Sequence, residues 1–469
     1  MNHDIKALKS GVWYTISDFL TKSIGMITTP IFTRMLNHEE FGLYNNFTSW
    51  LAIITIIVTL NLQSTFISAR YDYEDKFDEY IYSTLCLSSV SCLIWIIIFN
   101  LFQKYATELL GMEQTYINCM MVYLLLLPAV SMFQARERYR FEYKVSVLIS
   151  CVITIGTSLL SVVLVLKMSD RLKGRILGSI IPTIFLGILI YIIIMKKGRY
   201  PKIQYWKYAL PISLPFIPHL LSLTALNSLD RIMITDICGP ESNALYSLAY
   251  TCSSVVTVLL TSLNTAFAPW LGEKLHENLF DEICSFSKKY ISVFLFLAVG
   301  IMLVSPEIMM IMGGKSYMEA EYVMPPVMLG CVCQFIYTMY VNVEQFKKKT
   351  IGMALASVSA AAINYGLNAL FIPKYGYIAA AYTTLISFLW LLIAHMFLVW
   401  RLGLSKTYPN KFFILAVGVA ALITLGVNIL YSYTIIRYCL LVVYSGVFVV
   451  FALRYKEQLL GLLKKKTAK

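Results

Sequence analysis

Charge is scarce in this chain: Asp, Glu, Lys and Arg together make up 14% of 469 residues, and there are 5 His. An ordinary soluble surface is about a quarter charged, so that kind of surface is not available here. Long polar stretches are also missing. No connection between apolar runs exceeds about 20 residues, which leaves no extramembrane domain for soluble chemistry. Nucleotide- and hydrolase-type signatures are absent as well: there is no Walker A sequence, no His-Glu-x-x-His and no Gly-x-Ser-x-Gly. The 10 Cys are scattered, mostly inside apolar runs where a thiol behaves as a small hydrophobe. Cys331 and Cys333 stand two apart and point to different helix faces, unlike a zinc knuckle, so no metal site is expected. The start, Met1 to Lys9, is short and polar, and the apolar run after it has no small-residue cleavage pattern. That run is expected to stay as the first span.

What the chain has is hydrophobicity: 58% of its residues are apolar and its mean hydropathy is +0.69. A membrane helix needs roughly 20 such residues. Apolar runs punctuated by polar turns predict about 14 spans, near residues 11–33, 42–63, 80–103, 114–133, 145–166, 174–195, 207–229, 242–266, 290–312, 322–343, 351–373, 377–400, 411–432 and 436–453. An all-α polytopic membrane protein is the fold class this implies. An even number of spans puts both termini on one side. With the amino terminus inside, 28 of the 39 basic residues fall in cytoplasmic segments and 10 outside, with Lys22 inside the first span. The positive-inside rule then orients both termini toward the cytoplasm and accounts for the formal net charge of +13 without a nucleic-acid partner. One loop dissents: Lys167 to Arg175 is basic on the side assigned to the outside.

An internal repeat is present. Arg34-Met35-Leu36 followed by Phe41-Gly42-Leu43-Tyr44 is matched by Arg231-Ile232-Met233 followed by Ala244-Leu245-Tyr246. The copies lie six spans apart, so they share an orientation and predict two six-helix lobes related by an axis along the membrane normal. The expected division is 1–200 for the N-lobe, 201–403 for the C-lobe, and 404–469 for an additional helix pair with a basic tail.

Polar residues inside spans mark where function can lie. In span 1, Gly11, Thr15, Asp18, Lys22, Gly25 and Thr29 fall along one helix face. Two readings stand for Asp18 and Lys22: a cavity cation with an orienting or ion-coupling acid, or a structural ion pair at i, i+4. Span 7 carries Pro211, Pro215 and Pro218, which remove backbone donors and break a helix, and broken helices in transporters line sites or act as gates. Arg34 closes span 1 and Asp230 and Arg231 close span 7, which makes them a candidate outer gate. Arg70 ends span 2 on the inner side, as a cavity cation or a lipid-headgroup contact. Gln334, Asn342, Asn364 and Asn368 are expected to be interhelical glue.

These residues resemble a known family. Thr29-Pro30-Ile31-Phe32-Thr33-Arg34-Met35-Leu36 with Glu40-Phe41-Gly42-Leu43-Tyr44 is similar to the opening of bacterial Wzx-type polysaccharide flippases. Tyr208-Ala209-Leu210-Pro211, Leu229-Asp230-Arg231-Ile232-Met233-Ile234 and Tyr246-Ser247-Leu248-Ala249-Tyr250 are similar to its centre. Ser305-Pro306-Glu307-Ile308-Met309 and Asn368-Ala369-Leu370-Phe371-Ile372-Pro373-Lys374-Tyr375-Gly376 resemble its later marks, with Ala379 to Ala381 where Gly-Ala-Ala is usual.

The resemblance implies the multidrug/oligosaccharidyl-lipid/polysaccharide exporter superfamily, and a flippase that moves an undecaprenyl-diphosphate-linked oligosaccharide from the cytoplasmic to the outer leaflet for O-antigen, capsule or exopolysaccharide synthesis. It implies a bacterial or archaeal inner membrane, membrane lipids as surroundings, and a polysaccharide polymerase and chain-length regulator as partners. No cofactor is expected beyond a coupling proton or sodium ion, with Asp18 as the coupling acid and Lys22 and Arg70 as substrate-binding cations. A lipid II flippase, a cation-coupled multidrug exporter of the same superfamily, and a membrane glycosyltransferase or ligase remain the alternatives.

Overall fold

The computed structural model describes residues 3–140, 142–347 and 349–447; no strand occurs among the described residues. The first six long helices are α1 (His3–Met35), α2 (His38–Val58), α3 (Phe77–Leu101), α4 (Gln114–Tyr139), α5 (Tyr143–Lys167) and α6 (Arg171–Gly198). The next six are α7 (Ile203–Cys238), α8 (Pro240–His276), α9 (Phe280–Leu303), α10 (Met324–Phe346), α11 (Thr350–Tyr375) and α12 (Ile378–Arg401). A final pair, α13 (Asn410–Leu430) and α14 (Thr434–Val447), follows. Among the described residues, 12 helices are long and apolar enough to cross a membrane, α2 to α13; α1 and α14 take the places of the other two predicted spans. The basic tail lies outside the described residues.

The helix ends follow from local chemistry. Asn37 starts α2 through a reciprocal cap: its side chain accepts from the Glu40 amide (2.7 Å) while Glu40 accepts from the Asn37 amide (2.9 Å). Asp170 caps α6 with a single bond, its carboxylate accepting from the Lys173 amide at 2.8 Å. Gly239 turns the chain into α8 with φ of 89°, a value that suits glycine, and Pro240 occupies the first turn, where its missing N–H costs nothing.

Two lobes have their own apolar cores. In the first, Phe66, Tyr80, Ile81, Met132 and Ile194 pack together, and a second cluster forms around Phe47, Ile117, Met120 and Ile180. In the other, Ile291, Phe294, Phe335, Met339 and Leu391 pack with Phe413 and Ala420 of α13, so the additional pair is fastened to the second lobe. Arg437 at the start of α14 is 3% exposed and forms a two-pronged pair with Glu307 (2.6 Å on both prongs).

α7 belongs to both lobes. Its first segment, Ile203–Ser213, packs on the N-lobe: Trp206 Nε1 donates to the Ser83 carbonyl (2.7 Å), Tyr208 to Asp72 (2.5 Å), and Tyr205 is buried against Tyr80. A 3₁₀ turn at Leu214–Phe216 interrupts it, between Pro211 and Pro218, and Ile217–Cys238 then packs in the C-lobe. Prolines without donors leave the helical ladder open here, so the chain bends where the lobes join. The first residues of the expected 201–403 unit therefore sit against the N-lobe.

The lobes meet through α1 and α2, which pack on α7, α8 and the short helix Ser305–Met312. Phe32, Leu36 and Phe41 from one side and Met233, Tyr246, Leu248, Met312 and Tyr317 from the other form a single apolar cluster. Polar bonds reinforce it. Thr33 donates to the Met312 carbonyl (2.5 Å), Arg34 to the Ile311 carbonyl (2.8 Å), and Asn243 to the Gly42 carbonyl (2.9 Å). All of these lie at the end of the molecule that carries the α1–α2 turn.

Candidate functional site: a closed end, two unpaired guanidinium groups and a buried carboxylate

Arg175 sits one turn into α6, and its guanidinium lies 3.6 Å from the centre of the Phe32 ring and 4.3 Å from that of Tyr44. Phe32 belongs to the cluster that joins the lobes, so the cation stands beside the closure. Arg231, about two turns from the end of α7, lies 4.8 Å from the Tyr250 ring. In both residues Nε is buried without a hydrogen-bond partner, and neither forms an ion pair among the described residues. Aromatic faces stabilise a guanidinium through the ring quadrupole but leave its N–H donors free. The two guanidinium groups therefore carry donors that no protein acceptor among the described residues takes. Sequence reasoning noted Arg175 as part of a basic loop on the wrong side and placed Arg231 in a gate; the aromatic partners that reveal their common setting come from other helices.

Asp230 occupies a different place from the one expected. It is 1% exposed and forms no bridge to Arg34. Its carboxylate accepts from the Tyr246 hydroxyl (2.7 Å) on α8, the Asn368 amide (2.6 Å) on α11 and the Thr384 hydroxyl on α12. Thr383 in turn donates to Asn368, and Asn364 donates to Thr384 (3.1 Å). The gate pairing fails for a geometric reason: Asp230 faces the interior of its own lobe, and Arg34 reaches across to backbone carbonyls instead. Asn364 and Asn368 are more than glue, since they complete the shell of a buried charge. Such a carboxylate, solvated by neutral donors alone, can take up one proton or one monovalent cation as its counter-charge. Among the described residues no group of three or more His, Cys, Asp or Glu could hold a metal ion.

The remaining predicted residues are dispersed. Lys22 is exposed on α1. Asp18 falls within α1, but its side chain lies outside the described residues. Arg70 is half-buried, 5.5 Å from the Tyr71 ring and 6.0 Å from that of Tyr139. Pro211 and Pro215 mark the break in α7. Arg34 is the predicted gate residue that does bond across the lobes.

Residues 7–275 match the polysaccharide biosynthesis protein family. The chain belongs to that family. Among curated proteins it is similar to the Lsg locus putative protein 1 of Haemophilus influenzae, 22% identical over 58% of this chain and 68% of that protein. It is also similar to an uncharacterized membrane protein of the same organism, 20% identical over 76% of this chain and 89% of that one. Among solved structures, the lipid II flippase MurJ in an inward closed conformation shares the fold with a TM-score of 0.69, at 15% identity and over 96% of this chain and 100% of that one. An inward-facing multidrug resistance MATE transporter of the MOP superfamily follows at 0.64, with 14% identity over 82% and 95%. The architecture of this family member, two six-helix lobes with an added pair, is thus the one predicted, and it is a multi-pass membrane protein.

Proposed function

We propose that the protein flips an undecaprenyl-diphosphate-linked oligosaccharide from the cytoplasmic to the outer leaflet by alternating access, as one step of surface polysaccharide synthesis. The observation that carries this reading is the pair Arg175 and Arg231, one in each lobe, held on aromatic rings near the closed end without a carboxylate partner. A diphosphate is the polar part of such a lipid least able to cross hydrocarbon, and guanidinium groups match its geometry. Lys22, exposed in span 1, adds a further cation along the path, and Arg70 serves at the inner mouth. The end joined by α1 and α2 then faces outward, with Arg34 as its gate, and both termini face the cytoplasm. Rocking of the lobes about the break at Pro211 and Pro215 would exchange this closed end for the other, the motion that parallel repeats support.

Coupling is assigned to Asp230 in preference to Asp18, because its shell of neutral donors leaves one negative charge to be compensated. The same reading places the protein in an inner membrane beside a polymerase and a chain-length regulator. Mass spectrometry of lipid-linked oligosaccharides after depletion, with a probe for the leaflet that holds them, tests it. A complete repeat unit accumulating on the cytoplasmic leaflet is the expected result. Normal flipping with unpolymerised or unattached units would assign an enzymatic role instead, and lethality with trapped cell-wall precursor would assign lipid II. Export at the normal level by Lys22→Ala at matched expression would remove Lys22 from the path.

A further inference from the structure

Inside the N-lobe, away from the lobe junction, α1, α4, α5 and α6 surround a groove of 230 Å³. Its walls carry Thr21, Tyr123, Gln134, Ser150, Thr154 and Thr183 together with Ser131; the other lining residues are Leu127, Val130 and Ile153, and none is charged. Thr21, Thr154 and Thr183 all lie within about two turns of the midpoints of their helices. Polar groups at that depth normally close on one another as interhelical contacts. Part of this set does so: Gln134 donates to Ser150 Oγ (2.9 Å) and to the Ser146 carbonyl (3.3 Å), Tyr123 and Thr183 bond to each other, and Thr21 is partnered as well, while Ser131 donates within its own helix to the Pro128 carbonyl (3.2 Å). Yet the groove stays open, well beyond the ~10–15 Å³ that admits a single water. A hydroxyl that donates to its own helix keeps two acceptor lone pairs, so the walls still offer acceptors to a guest.

The chemistry of the walls selects the guest. A diphosphate needs cations and an organic cation needs a carboxylate, and the lining holds neither; a lipid tail would lie against the hydroxyls and amide of seven of the ten lining residues without offering them a partner. A neutral sugar ring fits. It presents several O–H groups that both donate and accept, and an apolar C–H face that can lie on an aromatic ring such as that of Tyr123. We propose that this groove binds an uncharged sugar unit of the lipid-linked substrate and discriminates it by its hydroxyls, while the diphosphate stays with the arginines. The inference rests on the flippase reading above.

Its test uses the full chain in lipid nanodiscs and two probes: undecaprenyl diphosphate without sugar, and the lipid-linked oligosaccharide extracted from cells depleted of the protein. The wild type should bind the sugar-bearing lipid at least tenfold more tightly. Gln134→Leu combined with Thr154→Val should bring the two affinities within about threefold, leaving the sugarless affinity unchanged; unchanged sugarless binding also certifies folding. Thr154→Val alone, nearly the same shape, should lose part of the preference. A tenfold preference that survives both variants overturns the proposal, as does a wild type that binds both lipids equally or a double variant that loses both to the same degree. If the wild type binds neither probe, the flippase reading itself fails.

Discussion

Gly42 of α2 lies directly against the Pro240 carbonyl of α8, so close that a Cβ at Gly42 would overlap that oxygen. The Gly42 carbonyl is meanwhile held by Asn243 at 2.9 Å. Backbone touches backbone here, and neither side can yield by turning a side chain. Gly42→Ala should therefore push α2 from α8 and weaken the closed end. A loss of about 1.4 kcal/mol shifts such an equilibrium tenfold. Labelling of a cysteine placed at Met312, buried within the closing cluster at 6% exposure, is expected to become at least several times faster, with export falling in proportion; unchanged labelling would show that the contact does not hold the closure.

Asp230→Asn keeps the shape of the buried side chain and removes its charge. Tyr246, Asn368 and Thr384 remain as neighbours. Its amide NH2 faces a donor where the carboxylate accepted one, so the variant is expected to fold with a modest loss of thermal stability, about 1–3 kcal/mol. Transport measured in vesicles should lose its response to an imposed proton or sodium gradient and fall at least tenfold. A full response to both gradients would exclude Asp230 as the coupling group.

Arg175→Gln and Arg231→Gln each remove charge-assisted bonds of about 1.5–3 kcal/mol, equivalent to roughly 10- to 100-fold in affinity for undecaprenyl diphosphate. Lysine at position 175 keeps the charge but not the planar stack on Phe32 and Tyr44 at 3.6 and 4.3 Å, so it should rescue only in part. Calorimetric titration distinguishes these outcomes. Equal affinity in all variants would move the diphosphate elsewhere.

The Glu307–Arg437 pair should make the attachment of α14 sensitive to acid. Burial raises the Glu307 carboxyl, but hydrogen bonds from Arg437 and Tyr438 outweigh it and hold it below its ordinary 4.5. A depressed carboxyl contributes stability that is complete above the unfolded value and lost as pH falls through the folded one. Thermal unfolding in detergent should thus drop as pH is lowered below about 4.5, and Glu307→Gln should flatten that dependence. At neutral pH the variant should lose about 2 kcal/mol, less than a fully buried pair, because the Glu307 side chain is 34% exposed against 4% for Arg437.

The helices were legible in the sequence because apolar run length against the thickness of a bilayer fixes them one segment at a time. Turn chemistry was equally local, as at Asn37 with Glu40, and the spacing of the two repeated motifs announced the paired lobes. The prolines of span 7 told where a helix would break. None of this depends on a distant partner. The site does: Asp230 meets Asn368 across 138 positions and Thr384 across 154, and Arg34 meets Ile311 across 277. A buried carboxylate and a gate acid look the same in a string of residues, because what separates them is which way one helix face turns in the packed lobe. Sequence alone determined the spans and the family; rotation and packing of those spans decided that Asp230 is an interior charge, that Arg175 and Arg231 keep free donors beside the closure, and that an uncharged groove stays open among four helices.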